Sequence, residues 1–321
     1  MQTISRYDRV RHELRQFLKR YDAKRAPLVV GWSGGADSTA LLYALLEEGV
    51  RPHAVHVDHG WRQTSAEEAE RLRQEASSLK IPFWAFRLQM AAGSNLEDRA
   101  RRERWRRFSQ VYTETGAGLL LLAHHANDQA ETVLKRLCEG SHFLFSGGMR
   151  PLSTLAEMRV GRPFLKVSKR EIVQWLQRRD LAFLEDETNR DTRFQRARMR
   201  EHILPELTAR FGKEVQGNLV RWGESACELR EYFERRTAPF YERLERSAAG
   251  IRLDVNPFYP IEKLELKTFL RLSFSEEEIG LSRDTLEALA CHLARRGTRR
   301  RFAARGWVLH SHLGVMEAVR V

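Results

Sequence analysis

The sequence predicts an α/β fold over its first two thirds: a parallel sheet with helices on both faces, Rossmann-like, followed by a smaller, mainly helical C-terminal domain. Three observations carry this. Short apolar runs recur without polar alternation, which is how strands buried on both faces read. Stretches of helical period separate them, so the repeating unit is strand, helix, parallel strand. Near Gly212 that alternation stops.

The first strand is Pro27-Leu-Val-Val-Gly-Trp32, and residues 39–48 follow as a helix with Leu41, Leu42 and Leu45 on its apolar side. His53-Ala-Val-His-Val57 is the second strand, with His56 read as a buried strand residue. The next helix opens at Ser65-x-x-Glu68, a capping-box pattern whose two side chains satisfy amides of the first turn. Residues 83–88 form a third strand, and Ser94-x-x-Glu97 opens a long helix. Residues 119–123 form a fourth strand, followed by a helix for which Asn127 is read as the N-cap. Residues 140–162 are richer in Gly, Ser and Pro and read as a long loop. Ser168-x-x-Glu171 opens a helix to about Arg179. Residues 215–248 read as mostly helical, ended by Ser-Ala-Ala-Gly at 247–250. Helices near 260–272 and 282–295 follow, then short strands around 299–303, 306–310 and 313–318. The expected domains are 1–212 and 213–321.

Composition narrows the function. The 321 residues carry 55 Lys and Arg against 43 Asp and Glu, a formal net charge of +12, and only nine of those cations are Lys. A basic excess favours a polyanionic partner, nucleic acid or an anionic membrane surface, although an ordinary solvated surface also accommodates it. Six Arg fall in 99–107, five in 190–200 and six in 295–305, the last without an acid. Cys138, Cys227 and Cys291 are far apart and form no CxxC pair, so no zinc ribbon, iron–sulfur ligand set or redox dithiol is visible. The N-terminus has no apolar signal core and no run spans a bilayer, so a soluble cytoplasmic protein is expected.

The most specific local signal is Ser33-Gly-Gly-Ala-Asp-Ser38, between a buried strand and a helix. Glycines let the backbone curl and aim N–H groups at an anion, and the following helix adds the positive end of its dipole. A Gly-Lys-Ser/Thr sequence is missing, so this is not a Walker A loop. A plain turn with Asp37 or Ser38 capping the helix is the other reading. The segment resembles the signature of the PP-loop (pyrophosphate-loop) enzymes, Ser-Gly-Gly-x-Asp-Ser. That resemblance implies that Ser33, Gly34, Gly35, Asp37 and Ser38 grip the pyrophosphate part of ATP. It also implies Mg²⁺ as cofactor with Asp37 as its ligand, because a carboxylate beside polyphosphate needs a cation between them.

Further segments occur in the order found in one family. His56-Val-Asp-His-Gly-Trp-Arg62 stands at the carboxyl end of the second strand, which places Asp58, His59 and Arg62 where nucleotides bind in such sheets. Asn95-Leu-Glu-Asp-Arg-Ala-Arg101 is followed by Arg104-Trp105, with Glu97 and Arg101 on one helix face. His124-His-Ala-Asn-Asp-Gln-Ala-Glu-Thr132 puts Asp128, Glu131 and Thr132 on one helical face just after two histidines. A transition-metal site at His125-x-x-Asp128 lacks a third ligand in this segment. Arg162-Pro-Phe-Leu165, Glu185-Asp-Glu-Thr-Asn189, Arg196-Ala-Arg-Met-Arg200 and Ile203-Leu-Pro205 complete the series.

Taken together, residues 31–205 resemble the tRNA(Ile)-lysidine synthetase family, with departures at Trp61, Asn127, Glu187, Thr188, Ala197 and Met199. The resemblance implies an AMP-forming carbon–nitrogen ligase. The O2 of a wobble cytidine attacks the α-phosphate of ATP, and the ε-amine of free L-lysine then displaces AMP to give lysidine. The partners implied are an isoleucine tRNA with a CAU anticodon and lysine; no membrane is expected, and the sequence allows a homodimer. Asp37, Asp128, Glu131 and His125 are the expected catalytic residues, with His124 a further candidate for the base. Glu97, Arg101, Arg104, Arg196, Arg200, Arg295 and Arg300 are expected on the tRNA side. Residues 1–212 would then be the ATP-binding catalytic domain and 213–321 a tRNA-binding domain. The alternatives are another PP-loop tRNA-modifying enzyme of thiolase type, which normally asks for paired cysteines, and a non-catalytic Arg-rich RNA-binding protein.

Overall fold

The computed structural model describes residues 8–58, 65–88, 96–184, 195–248 and 250–321. The chain divides into two compact units, Met1–Ser225 and Ala226–Val321. The first opens with helix α1 (Arg9–Arg20) and alternates β1 (Leu28–Gly31), α2 (Ala36–Glu47), β2 (His53–Asp58), α3 (Ser65–Ser78) and β3 (Phe83–Arg87). It continues with α4 (Leu96–Glu114), β4 (Leu119–Leu121), α5 (Ala126–Cys138), β5 (Leu152–Leu155), β6 (Met158–Gly161) and α6 (Lys169–Gln177). Helix α7 (Gln195–Arg198) runs through a π turn (Met199–Ile203) into α8 (Leu204–Phe211), and α9 (Val215–Tyr241) follows.

The six strands lie in the order β3-β2-β1-β4-β6-β5. All neighbours are parallel except the edge strand β5, which pairs antiparallel with β6. Successive residues point to opposite faces, and both faces are covered. Leu28, Val30, Leu119 and Leu121 pack with Leu41, Leu45, Phe164 and Trp175, under α1, α2 and α6. Val29 and Leu120 join Val55, Val160, Phe108 and Val111 under α4. That two-sided burial explains the uninterrupted apolar runs, each fully buried Leu or Val being worth about 1.5–3 kcal/mol. The chain passes from β1 to β2 on one side, yet β4 lies on the other side of β1. The strand order therefore reverses between β1 and β4, which opens a crevice at their carboxyl ends.

Two expectations for this unit need correcting. Residues 140–162 are not one loop: they contain the β5–β6 hairpin, whose turn residues Ala156 and Glu157 have left-handed φ of 46° and 62°. Asn-Gly or Asp-Gly would announce such a turn, and Ala-Glu does not. The N-cap of α5 is His125 rather than Asn127, because the chain becomes helical two residues earlier.

The second unit contains the end of α9, then β7 (Leu244–Ser247), β8 (Gly250–Asp254), α10 (Lys263–Glu276), α11 (Arg283–Ala294), β9 (Arg300–Ala304), β10 (Trp307–His312) and β11 (Val315–Arg320). Its strands form an antiparallel sheet in the order β7-β8-β11-β10-β9. Ile251, Leu253, Leu309, Met316 and Ala318 pack on Phe269, Leu270, Leu289 and Leu293 of the two helices. The sheet has five strands rather than the three expected, since the helical reading of 215–248 ends at Tyr241 and both 244–247 and 250–254 are strands. Leu-Glu-Arg-Ser has little strand propensity, and pairing to β8 supplies what propensity does not. Among the described residues, no helix is long and apolar enough to cross a membrane.

Candidate active site at the ends of β1 and β4

The loop leaving β1 is shaped by its own small residues. Gly34 has a left-handed φ of 81°, and a Cβ there would meet Leu184 Cδ1 at 2.6 Å, so both backbone and space require glycine. Leu184 N donates to Gly34 O at 2.9 Å and pins the loop from outside. Ser33 N donates to Ser38 Oγ at 3.1 Å, the two hydroxyls lie 3.0 Å apart, and Ser38 Oγ donates to Gly35 O at 3.1 Å. Thr39 Oγ1 donates to Gly34 O at 3.1 Å and accepts from Trp32 Nε1 at 3.2 Å. Gly35 is the N-cap of α2 and makes no side-chain cap, so the first amides of α2 remain for an anion. Asp37 stands in that first turn.

From the end of β4 comes the second wall. His125 caps α5: its Nδ1 accepts from Asp128 N at 3.5 Å, while Asp128 Oδ2 accepts from His125 N at 3.0 Å. With Nδ1 accepting, the ring proton belongs on Nε2. Nε2 lies 3.5 Å from Asp128 Oδ2 and 3.7 Å from Asp37 Oδ2, so this one imidazole stands between carboxylates of both segments. One turn on, the Glu131 side chain is only 2% exposed. Its Oε1 accepts from Arg200 Nε at 2.8 Å, and Arg200 Nη2 reaches Asp128 Oδ1 at 3.4 Å. Arg200 lies in the π turn, a device that re-aims a helical side chain and recurs at functional sites. Buried Gln129 fixes the loop beyond α5, donating to Gly147 O and Met149 O and accepting from Met149 N at 2.7 Å.

A third element closes the site. Lys169, the first residue of α6, places Nζ 2.7 Å and 2.8 Å from the two carboxylate oxygens of Asp37. Its backbone N donates to Asn127 Oδ1 at 3.0 Å, while Asn127 Nδ2 donates to Gln216 Oε1 at 2.7 Å. The Ser168–Glu171 capping box is present as the sequence predicts.

Electrostatics separate the groups. Burial pushes the His124 imidazole down to about 4, helped by Arg162, Arg196 and Arg104 and opposed by Asp128. Burial works against the Asp128 carboxylate, but His125, His124 and Arg200 outweigh it and hold Asp128 below the usual range. Burial raises Glu131 despite Arg200, and its Oε2 is enclosed without a hydrogen-bond partner among the described residues. Burial also lowers the Arg162 guanidinium to about 10, with Arg101 adding to it. Two carboxylates on one helix face are thus pushed in opposite directions, which suits one to bind a cation and the other to exchange a proton.

The expected residues therefore divide. Ser33, Gly34, Gly35, Asp37 and Ser38 meet His125, Asp128, Glu131 and Arg200 in one crevice, and Arg104 and Arg196 act on His124 from nearby. Asp58 ends β2 and approaches Arg87 Nε at 3.8 Å. His56 is buried, with Nδ1 3.1 Å from Trp32 O, as expected of a strand residue. Arg101 is exposed on α4, and Arg295 and Arg300 belong to the second unit. His59, Arg62, the Glu97 side chain and residues 185–190 lie outside the described residues. Lys169, bonded to Asp37, is the candidate-site residue that the sequence reading did not name. Its signal was a cation at the first position of a helix, where the dipole disfavours it unless an acid is near.

A model of the PP-loop domain matches residues 6–207. The chain is 36% identical over 285 residues to a tRNA(Ile)-lysidine synthase of Chlamydia pneumoniae, covering 88% of this chain and 89% of that one. It is 36% identical over 297 residues to the tRNA(Ile)-lysidine synthase of Chlamydia muridarum, covering 90% of each. A tRNA(Ile)-lysidine synthase of Protochlamydia amoebophila is 36% identical over 281 residues, 86% of this chain but 61% of that longer protein. Among solved structures, the U34-tRNA thiolase NcsA of Methanococcus maripaludis aligns with a TM-score of 0.57 and 18% identity. That alignment covers 70% of this chain and 79% of the thiolase, a likeness of fold.

Proposed function

The chain belongs to the tRNA(Ile)-lysidine synthase family of PP-loop proteins, and from that premise we propose that it is an ATP-dependent ligase converting a wobble cytidine to lysidine. The substrates are ATP, free L-lysine and an isoleucine tRNA with a CAU anticodon; the products are lysidine-bearing tRNA, AMP and pyrophosphate. One observation supports the reading most: His125 Nε2 lies 3.7 Å from Asp37 and 3.5 Å from Asp128, joining the phosphate loop to the α5 carboxylates.

The loop and the first turn of α2 hold the β- and γ-phosphates by backbone and hydroxyl donors. That places the α-phosphate over the crevice between β1 and β4. The cytidine O2 forms a bond to the α-phosphorus while the bond to pyrophosphate breaks. The neutral ε-amine of lysine then attacks C2 of the adenylated base, and the C2–O bond breaks as AMP leaves. Asp128, held ionised, and Glu131, raised by burial, receive the lysine ammonium, and Glu131 takes up its proton before attack. His125 positions Asp128 and Asp37. Arg104 and Arg196, with Arg101, form the cationic rim for the tRNA backbone while Arg200 holds Glu131, and Arg295 and Arg300 of the second unit also bind tRNA phosphates.

Mg²⁺ belongs to the same proposal. Both Asp37 oxygens already accept a cationic group, the Lys169 ammonium, and a hard carboxylate donor suits Mg²⁺. Asp37 would hold it, and bound there it would offset polyphosphate charge.

The test is stoichiometry. AMP and pyrophosphate should form in equal amounts, and only when lysine and tRNA are both present. ATP hydrolysis indifferent to both substrates would contradict the proposal.

A further inference from the structure

We propose that Lys169 is the phosphate-gripping cation of this nucleotide site: it rests on Asp37 when no nucleotide is bound and transfers to the β- and γ-phosphates when MgATP enters. The inference rests on the reading of the Ser33–Ser38 loop as the ATP site, and goes beyond it by assigning a residue outside the loop.

Charge arithmetic requires such a group. The loop offers backbone amides and two hydroxyls, and residues 33–38 contain an acid but no Lys or Arg. A polyphosphate set against Asp37 meets repulsion unless cations intervene, and one divalent ion leaves a triphosphate still anionic. The Lys169 Nζ already lies at the loop, 2.7 Å and 2.8 Å from the Asp37 oxygens. Arg200, the other cation bonded to the crevice carboxylates among the described residues, is engaged elsewhere. His125 caps α5 and Arg200 is bonded to Glu131 at 2.8 Å.

The mounting of Lys169 also separates a mobile head from a fixed base. Its amide is held by Asn127 Oδ1 at 3.0 Å, and the helix it begins is locked by the Ser168–Glu171 box. Its side chain is 43% exposed, against 29% for Asp37, so the ammonium can swing on its four-carbon stem. A half-exposed ion pair contributes little to stability, so the fold alone does not account for a lysine here. Nor does the helix: a cation at the first position opposes the dipole. With MgATP bound, Asp37 would hold the metal and the Lys169 ammonium would pair with phosphate instead of the carboxylate. Each charge keeps a partner throughout.

The experiment uses the full chain and equilibrium binding of ATP and of inorganic pyrophosphate, with magnesium present, for wild type, Lys169→Met and Lys169→Arg. Lys169→Met should weaken both ligands by roughly tenfold to a hundredfold, the range expected when a charge-assisted hydrogen bond is removed. Lys169→Arg should stay within a few-fold of wild type, and tRNA affinity and unfolding temperature should be unchanged in both. Unaltered ATP and pyrophosphate affinity in folded Lys169→Met would overturn the inference. A wild-type chain that binds both ligands but joins no lysine to tRNA would overturn the proposed function instead, and the binding comparison would still decide Lys169.

Discussion

Arg200 donates through Nε to Glu131 at 2.8 Å, tying the π turn after α7 to a carboxylate on α5 that is only 2% exposed. Arg200→Met should destabilise the protein by about 1–3 kcal/mol, because it leaves a buried carboxylate unpaired. The sign with pH follows from Glu131, whose carboxyl is raised by burial. Such a group favours the fold most below its ordinary value and loses that contribution as pH rises through the folded value. Removing Arg200 raises Glu131 further, so the deficit in urea unfolding should be larger at pH 8 than at pH 5. Arg200→Lys should recover only part of the loss, since a point charge does not span Glu131 and Asp128 together.

His124 gives a second pH window. Its imidazole is lowered to about 4 by burial, against an ordinary value of 6.5. The unfolded chain therefore takes up a proton that the folded chain refuses. Stability should be full above pH 6.5 and fall toward pH 4, by up to ~3 kcal/mol. His124→Asn should flatten urea-unfolding free energies across that window. Asp128 acts lower: it is held below its ordinary value of 3.8, so its contribution is present above that pH and is lost beneath it.

Asp37→Asn removes the carboxylate that faces Lys169 and His125. Lysidine formation should be abolished, while tRNA binding in filter assays stays near wild type. Unfolding free energy should change by less than ~1 kcal/mol, since the Lys169 pair is half exposed. Loss of tRNA binding would make Asp37 a structural residue.

Arg295 and Arg300 are exposed, and no ion pair with an acid is seen for either among the described residues. Arg300 leans over the Phe302 ring at 5.0 Å. The double variant Arg295→Glu and Arg300→Glu should weaken tRNA binding and lower the salt dependence of log Kd by roughly one for each phosphate no longer neutralised. ATP affinity should not move. Unchanged tRNA affinity would return this cluster to an ordinary solvated surface.

Much of the candidate site was legible because its geometry is local. The Ser33–Ser38 loop, the Ser168–Glu171 box and the α5 face of Asp128 and Glu131 each depend on residues a few positions apart. What escaped depends on distance or on unusual backbone. Lys169 meets Asp37 across 132 positions, and Asn127 serves Lys169 and Gln216 rather than its own helix end. The β5–β6 hairpin turns on Ala156 and Glu157 in left-handed conformations that their identities do not advertise. Strand β7 is stabilised by partners, with Arg252 reaching Glu245 at 3.3 Å across the sheet.

The proposed reaction has one crevice adenylate a tRNA base and join lysine to it. It is tested most directly by incubating the full chain with radiolabelled lysine, ATP, magnesium and bulk tRNA, then digesting the tRNA to nucleosides. ATP-dependent label should appear in a single modified cytidine at the wobble position of a CAU-anticodon tRNA. Folded protein that binds ATP yet places no label in any tRNA would contradict it.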